Sequence, residues 1–91
     1  MLLFSTQTSK KLARKISQCA PYLKEGTHDF KYFANGEMHV KITREVKGEK
    51  IIILASTNQP NDNIFELFLL LDAAKNNGAE FIHLIMPFFG Y

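Results

Sequence analysis

Ninety-one residues, 46% of them hydrophobic and eight of them Phe, supply one small domain with core material to spare; folding at this size removes only about 60 to 68% of the extended-chain surface from water, so further sequence or a neighbouring subunit is expected to cover the rest. The net charge of +2 conceals ten Lys/Arg against five Asp/Glu in residues 1–50 and one against four in residues 51–91, a basic excess too sparse for a nucleic-acid surface. Residues 67–71 fall far short of a membrane span, residues 1–4 of a secretory signal, and the single Cys excludes an internal disulfide, so the chain reads as soluble and cytoplasmic with no membrane partner.

Residues 2–4 read as a short first strand. Ser9 offers an N-cap to a helix in which Leu12, Ala13, Ile16, Cys19 and Ala20 share one face and Lys11, Arg14, Lys15 and Gln18 the other, and Pro21 closes it. On that spacing Cys19 is buried filling rather than a nucleophile. Residues 27–33 form a mixed polar and aromatic strand. Asn35 and Gly36, a pair that readily takes positive φ, turn the chain. Met38, Val40 and Ile42 then alternate with His39, Lys41 and Thr43, so the segment is a hairpin-like excursion with one wet face.

After a turn at Gly48, residues 51–55 are continuously apolar, as in a strand covered on both sides. Residues 56–63 are a polar loop containing Pro60. Asn63 and Glu66 have the spacing of a capping box, and the helix they open runs through Ile64, Phe65, residues 67–71, Ala73 and Ala74 to a C-cap candidate at Gly78. Its apolar side chains point almost all round, so it is expected to pack against a sheet and something else besides. Residues 81–86 form another buried strand, with His83 hydrogen-bonded within it, and Pro87 ends it. The order strand, helix, hairpin, strand, helix, strand predicts a layered α/β fold whose last three elements make a βαβ unit.

Two loops carry groups suited to a ligand. In Phe33-Ala34-Asn35-Gly36-Glu37, Phe33 could stack on a planar ring, Asn35 could hydrogen-bond a ring nitrogen or amine, and Glu37 could accept from an amino group. Alternatively Asn35 and Gly36 only turn the hairpin, Phe33 anchors a core and Glu37 is solvated; spacing alone favours that alternative. Ser56, Thr57 and Asn58 follow a central strand and Asn61, Asp62 and Asn63 open a helix, a place where hydroxyls and helix amides can hold phosphate. No GxGxxG or GxxxxGK[ST] accompanies them, and caps and turns are the favoured explanation. His28, His39 and His83 lack the spacing of a metal centre and no Ser/His/Asp triad is present, so no catalytic and no metal residue is assigned.

The whole pattern resembles the amino-terminal part of the ribose-phosphate pyrophosphokinase family. The likeness is carried by Phe33-Ala34-Asn35-Gly36-Glu37 with Val40 and Ile42, by Val46-Lys47-Gly48, by Asn61-Asp62-Asn63 with Glu66-Leu67, and by Pro87-Phe88-Phe89-Gly90-Tyr91. It implies a phosphoribosyltransferase-like three-layer domain with a mainly parallel sheet, of which residues 1–91 are an incomplete amino-terminal piece. It also implies transfer of the diphosphoryl group of ATP to ribose 5-phosphate with magnesium, giving phosphoribosyl pyrophosphate and AMP, by a homo-oligomer. Carried over position by position, Phe33 would pack on adenine while Asn35 and Glu37 hydrogen-bond its edge, across a subunit interface.

Tyr32 stands where the family commonly has Arg, Lys31 where it often has Gly, Glu45 where it often has a Ser near a regulatory phosphate site, and Lys47 where Arg is usual. Weak phosphate and ADP regulation is the expectation, since a carboxylate repels phosphate and Lys lacks the bidentate fork of Arg. The resemblance places the magnesium-associated His segment, the flexible catalytic loop and the ribose 5-phosphate loop beyond residue 91, so the isolated chain is expected to be inactive. The alternative is a non-catalytic regulatory or assembly module built on the same fold.

Overall fold

The computed structural model describes residues 1–57 and 61–87. Leu2, Leu3 and Phe4 are apolar without alternation and buried on both faces, which suits a strand between helical layers; they lie in β1 (Leu2–Ser5). A 3-10 turn at Gln7–Ser9 leads to α1 (Lys10–Cys19) and β2 (Lys24–Glu25), then to the hairpin strands β3 (His28–Tyr32) and β4 (Met38–Ile42). The chain continues through β5 (Lys50–Leu54), α2 (Asp62–Asn76) and β6 (Phe81–Ile85). A parallel sheet has the order β2-β1-β5-β6, and β3 and β4 form a separate antiparallel pair.

Alternate residues of the central strands serve opposite layers. Leu2, Phe4, Ile51 and Ile53 pack with Leu67, Leu70 and Ala74 of α2, whereas Leu3 and Leu54 pack with Ala13 and Ile16 of α1 on the other face. The three-layer α/β architecture with a parallel sheet and an antiparallel excursion is therefore as expected. The all-round apolar character of α2 also has its cause: the helix lies against the sheet on one side, and Val40 and Ile42 of the hairpin join the same core. Phe65 and Phe68 stay 55% and 56% exposed on its remaining surface. The two-residue β2 escapes sequence patterning because Lys24 and Glu25 carry no apolar signal; it exists through backbone bonds, including Lys24 N–H to the Met1 carbonyl and Gly26 N–H to that of Leu3.

Four local expectations are corrected. Cys19 is exposed, as is Leu12, because α1 meets the sheet through the narrow face that carries Ala13 and Ile16, and Ala13 is its one fully buried residue. Among the described residues β6 is an edge strand: Ile82 and Leu84 turn to the α2 layer, while Phe81, His83 and Ile85 lie exposed on the α1 side, where no described element covers them. His83 therefore sits beside the Phe81 ring at 6.3 Å instead of within a buried strand. No capping box opens α2, which starts at Asp62 after Asn61 without a side-chain cap bond. Ser9 likewise makes no cap bond, and its hydroxyl lies 3.5 Å from that of Ser56.

Candidate functional site

The hairpin is held over α2 by contacts at its base, its middle and near its tip. At the base, Gly26 passes so close to the buried Phe4 ring that a Cβ there would lie 2.4 Å from Cζ and 2.6 Å from both Cε atoms. In the middle, the Glu66 carboxylate accepts the Gln7 N–H at 2.9 Å and meets His28 Nε2 at 3.3 Å, with both side chains 1% exposed. Glu66 thus joins α2, the segment after β1, and β3, which explains why a helix residue with cap spacing is buried. Towards the tip, the Tyr32 hydroxyl donates to the Asp62 carboxylate at the start of α2. That hydrogen bond, with burial and the negative charges of Asp62 and Glu66, raises the Tyr32 pKa above the ordinary tyrosine value.

At the tip, Phe33 N–H donates to the Glu37 carbonyl at 2.7 Å and Gly36 N–H to the Phe33 carbonyl at 2.9 Å. Gly36 takes φ 89°, and among the described residues only glycines have positive φ. The turn is therefore not the paired left-handed form that Asn-Gly invites; Gly36 alone supplies the left-handed residue, as in a longer hairpin loop. Asn35 acts through its side chain, whose Oδ1 accepts the Glu37 N–H at 3.0 Å.

The three loop residues singled out in the sequence share this tip but look in different directions. Phe33, 46% exposed, lies 5.2 Å from the His39 ring with Lys31 Nζ 5.4 Å from its centroid, on the outer face of the ribbon. Glu37 lines a groove of about 500 Å³ on the side of α2, with Tyr32, Gly36, Met38, Asp62, Phe65, Phe68 and Leu69. Asn35 is exposed between them. The tip thus offers an aromatic face, an amide and a carboxylate around one bend.

The second candidate loop is only partly described. Asn58 lies outside the described residues, Thr57 is buried, and Asn63 is buried within α2. The carboxyl ends of β1 and β5 come together there through Thr6 N–H to the Leu54 carbonyl at 3.1 Å, and the buried Thr6 hydroxyl has no partner among the described residues. Nor do three or more His, Cys, Asp or Glu residues converge as metal ligands among the described residues. No sequence motif marks His28, Glu66, Tyr32 and Asp62 as a group of tethers. The available signal was the alternation of His28, Phe30 and Tyr32, which puts all three on the face opposite Asp29 and Lys31.

The family model described as the N-terminal domain of ribose phosphate pyrophosphokinase matches residues 1–91. Ribose-phosphate pyrophosphokinase 1 of Streptococcus agalactiae is 37% identical over 90 residues, which cover 98% of this chain and 28% of that protein. Its counterpart from Streptococcus pneumoniae is 34% identical over the same shares. The chain therefore spans little more than a quarter of the length of the curated relatives it matches. A crystal structure of phosphoribosylpyrophosphate synthetase from Mycobacterium smegmatis superposes with a TM-score of 0.85 at 28% identity, covering 94% of this chain and 29% of that one. A purine phosphoribosyltransferase from Pyrococcus horikoshii shares the fold, with a TM-score of 0.69 at 14% identity over 93% of this chain and 58% of its own. With a family match along its whole length and a layered sheet and hairpin that superpose on a synthetase, the chain belongs to the N-terminal domain family of ribose-phosphate pyrophosphokinase.

Proposed function

We propose that the protein containing this chain is an ATP:ribose-5-phosphate diphosphotransferase, forming phosphoribosyl pyrophosphate and AMP in the cytoplasm, and that residues 1–91 are part of its amino-terminal domain. Their contribution is the hairpin tip, where Phe33 packs on the adenine of ATP and Asn35 and Glu37 hydrogen-bond its edge from a neighbouring subunit. The observation carrying this reading is the tip itself: an aromatic ring, an amide and a carboxylate exposed around one hydrogen-bonded bend. The purine edge offers both donors and acceptors, which an amide and a carboxylate complement. Exposed Phe65, Phe68, Phe81 and Ile85 support assembly into a homo-oligomer, since apolar groups of that size favour a covering partner.

The diphosphoryl transfer uses magnesium, whose chemistry is charge neutralisation on the phosphates. Among the described residues no three His, Cys, Asp or Glu side chains converge; on the reading proposed here, metal and ribose 5-phosphate are held by other parts of the protein, and residues 1–91 alone are inactive. Weak phosphate regulation is supported by Glu45, whose carboxylate accepts the Lys47 N–H at 3.1 Å and puts negative charge at a backbone donor that an anion would otherwise use.

Substrate kinetics of the intact enzyme test the loop assignment. Loss of a stacked aromatic is worth about 1–3 kcal/mol, so Phe33→Ala is expected to raise the KM for ATP by about tenfold or more while leaving that for ribose 5-phosphate unchanged. Equal ATP kinetics for wild type, Phe33→Ala and Glu37→Gln would sink the assignment.

A further inference from the structure

The outer face of the hairpin carries Lys31, His39 and Lys41 with a single carboxylate, Asp29, among them. Strand alternation turns Asp29, Lys31, His39 and Lys41 away from α2, and the register sets Lys31 opposite His39 and Asp29 opposite Lys41. These four residues and Phe30 line a concavity of about 440 Å³. Among the described residues the only salt bridge is that of His28 with Glu66. Lys31 and Lys41 thus lie within ion-pair distance of no described carboxylate, although Asp29 is paired across the ribbon from Lys41. Lys31 and Lys41 stand diagonally on this face, and a bound anion between them would offset their mutual repulsion.

We propose that Lys31, His39 and Lys41 form a binding site for a chain of phosphates, either a free oligophosphate or the phosphate tail of a nucleoside di- or triphosphate. Lys31 and Lys41 occupy diagonal positions of the ribbon, where Cβ atoms stand roughly 7 Å apart, and flexible stems let their ammonium groups close on separate phosphates of one chain. A chain of two or more linked phosphates gives each ammonium its own phosphate, whereas a single phosphate would have to draw both side chains together. His39 adds a ring N–H between them, beside the Phe33 ring. Asp29 is the opposing element, lowering affinity and confining the anion to the Lys31 side. The nucleotide form of the ligand rests on the reading of Phe33 as a base contact; the oligophosphate form does not.

Lysine footprinting of the intact protein with an amine-acetylating reagent, titrated with tripolyphosphate and separately with ATP, tests the site. Tripolyphosphate is expected to protect Lys31 and Lys41 together while Lys10 and Lys11 on α1 react at their unliganded rates. Charge-assisted contacts contribute about 1.5–3 kcal/mol, so Lys41→Gln should raise the midpoint for Lys31 protection by about tenfold or more. Asp29→Asn should lower it severalfold, an opposite shift that misfolding does not produce. Absence of protection at saturating tripolyphosphate, or midpoints unmoved by both variants, overturns the proposal. Protection by tripolyphosphate but not ATP assigns the site to free oligophosphate. Protection by ATP that Phe33→Ala leaves unchanged overturns the base contact and leaves the phosphate site standing.

Discussion

Replacing Glu66 by Ala removes the one carboxylate that joins α2, the segment after β1, and the hairpin. It leaves Gln7 N–H and His28 Nε2 without the acceptor they meet at 2.9 and 3.3 Å, in a place where both side chains of the pair are 1% exposed. Each of the two hydrogen bonds to the carboxylate contributes about 1.5–3 kcal/mol, and an orphaned buried donor costs about 1–3 kcal/mol. These figures overlap, since the second is part of the first. Water can reach Gln7, an exposed residue, so the lower end applies: about 3 kcal/mol, roughly a hundredfold in an opening equilibrium. Glu66→Gln keeps an acceptor oxygen for one donor and should cost about 1 kcal/mol, the usual net value of a hydrogen bond. Hydrogen exchange resolved by peptide is the assay, with urea unfolding for the global term. Protection in His28–Tyr32 and Met38–Ile42 should fall first and furthest, ahead of Leu2–Ser5 and Lys50–Leu54. The reasoning fails if Glu66→Ala leaves hairpin protection intact, or if His28→Ala and Glu66→Ala add without coupling.

Three further outcomes follow from the same geometry. Gly26→Ala sets a Cβ within 2.6 Å of three atoms of the fully buried Phe4 ring, so it should destabilise by about 1–3 kcal/mol in urea unfolding, and Phe4→Leu in the same chain should recover part of that loss. The raised Tyr32 pKa means that the neutral phenol is favoured in the fold; its contribution is full below the ordinary tyrosine value near 10 and is lost as pH rises through the higher folded value. Wild-type hairpin protection should accordingly fall faster above about pH 10 than that of Tyr32→Phe, and parallel curves would refute the Asp62 contact. Asn35→Ala removes the acceptor for Glu37 N–H at 3.0 Å and should cost about 0.5–1.5 kcal/mol in urea unfolding, whereas Asn35→Asp, which keeps that oxygen, should be close to neutral.

Much of the fold was legible because burial on two faces and burial on one leave different patterns. The unbroken apolar residues of β1 and β5, the alternation of Met38, Val40 and Ile42, and the turn at Gly36 are local signals, and each produced the expected element. The loop of Phe33, Asn35 and Glu37 could be located for the same reason. Its geometry could not: an Asn-Gly pair permits several turns, and the one adopted uses the Asn35 side chain in place of a left-handed Asn35 backbone.

What the amino-acid order determined by itself was therefore the set of elements, the layered α/β class and the tip on which the candidate site sits, since these depend on interactions among residues close in the chain. Only the tertiary structure decided that Glu66 abandons a capping role for partners 59 and 38 residues away, that among the described residues one face of β6 is left uncovered, and that Cys19 escapes burial. Hydrogen-bond partners of a buried carboxylate, and the neighbours that cover a strand or helix face, are set by packing between distant segments, and spacing within a segment carries no record of them.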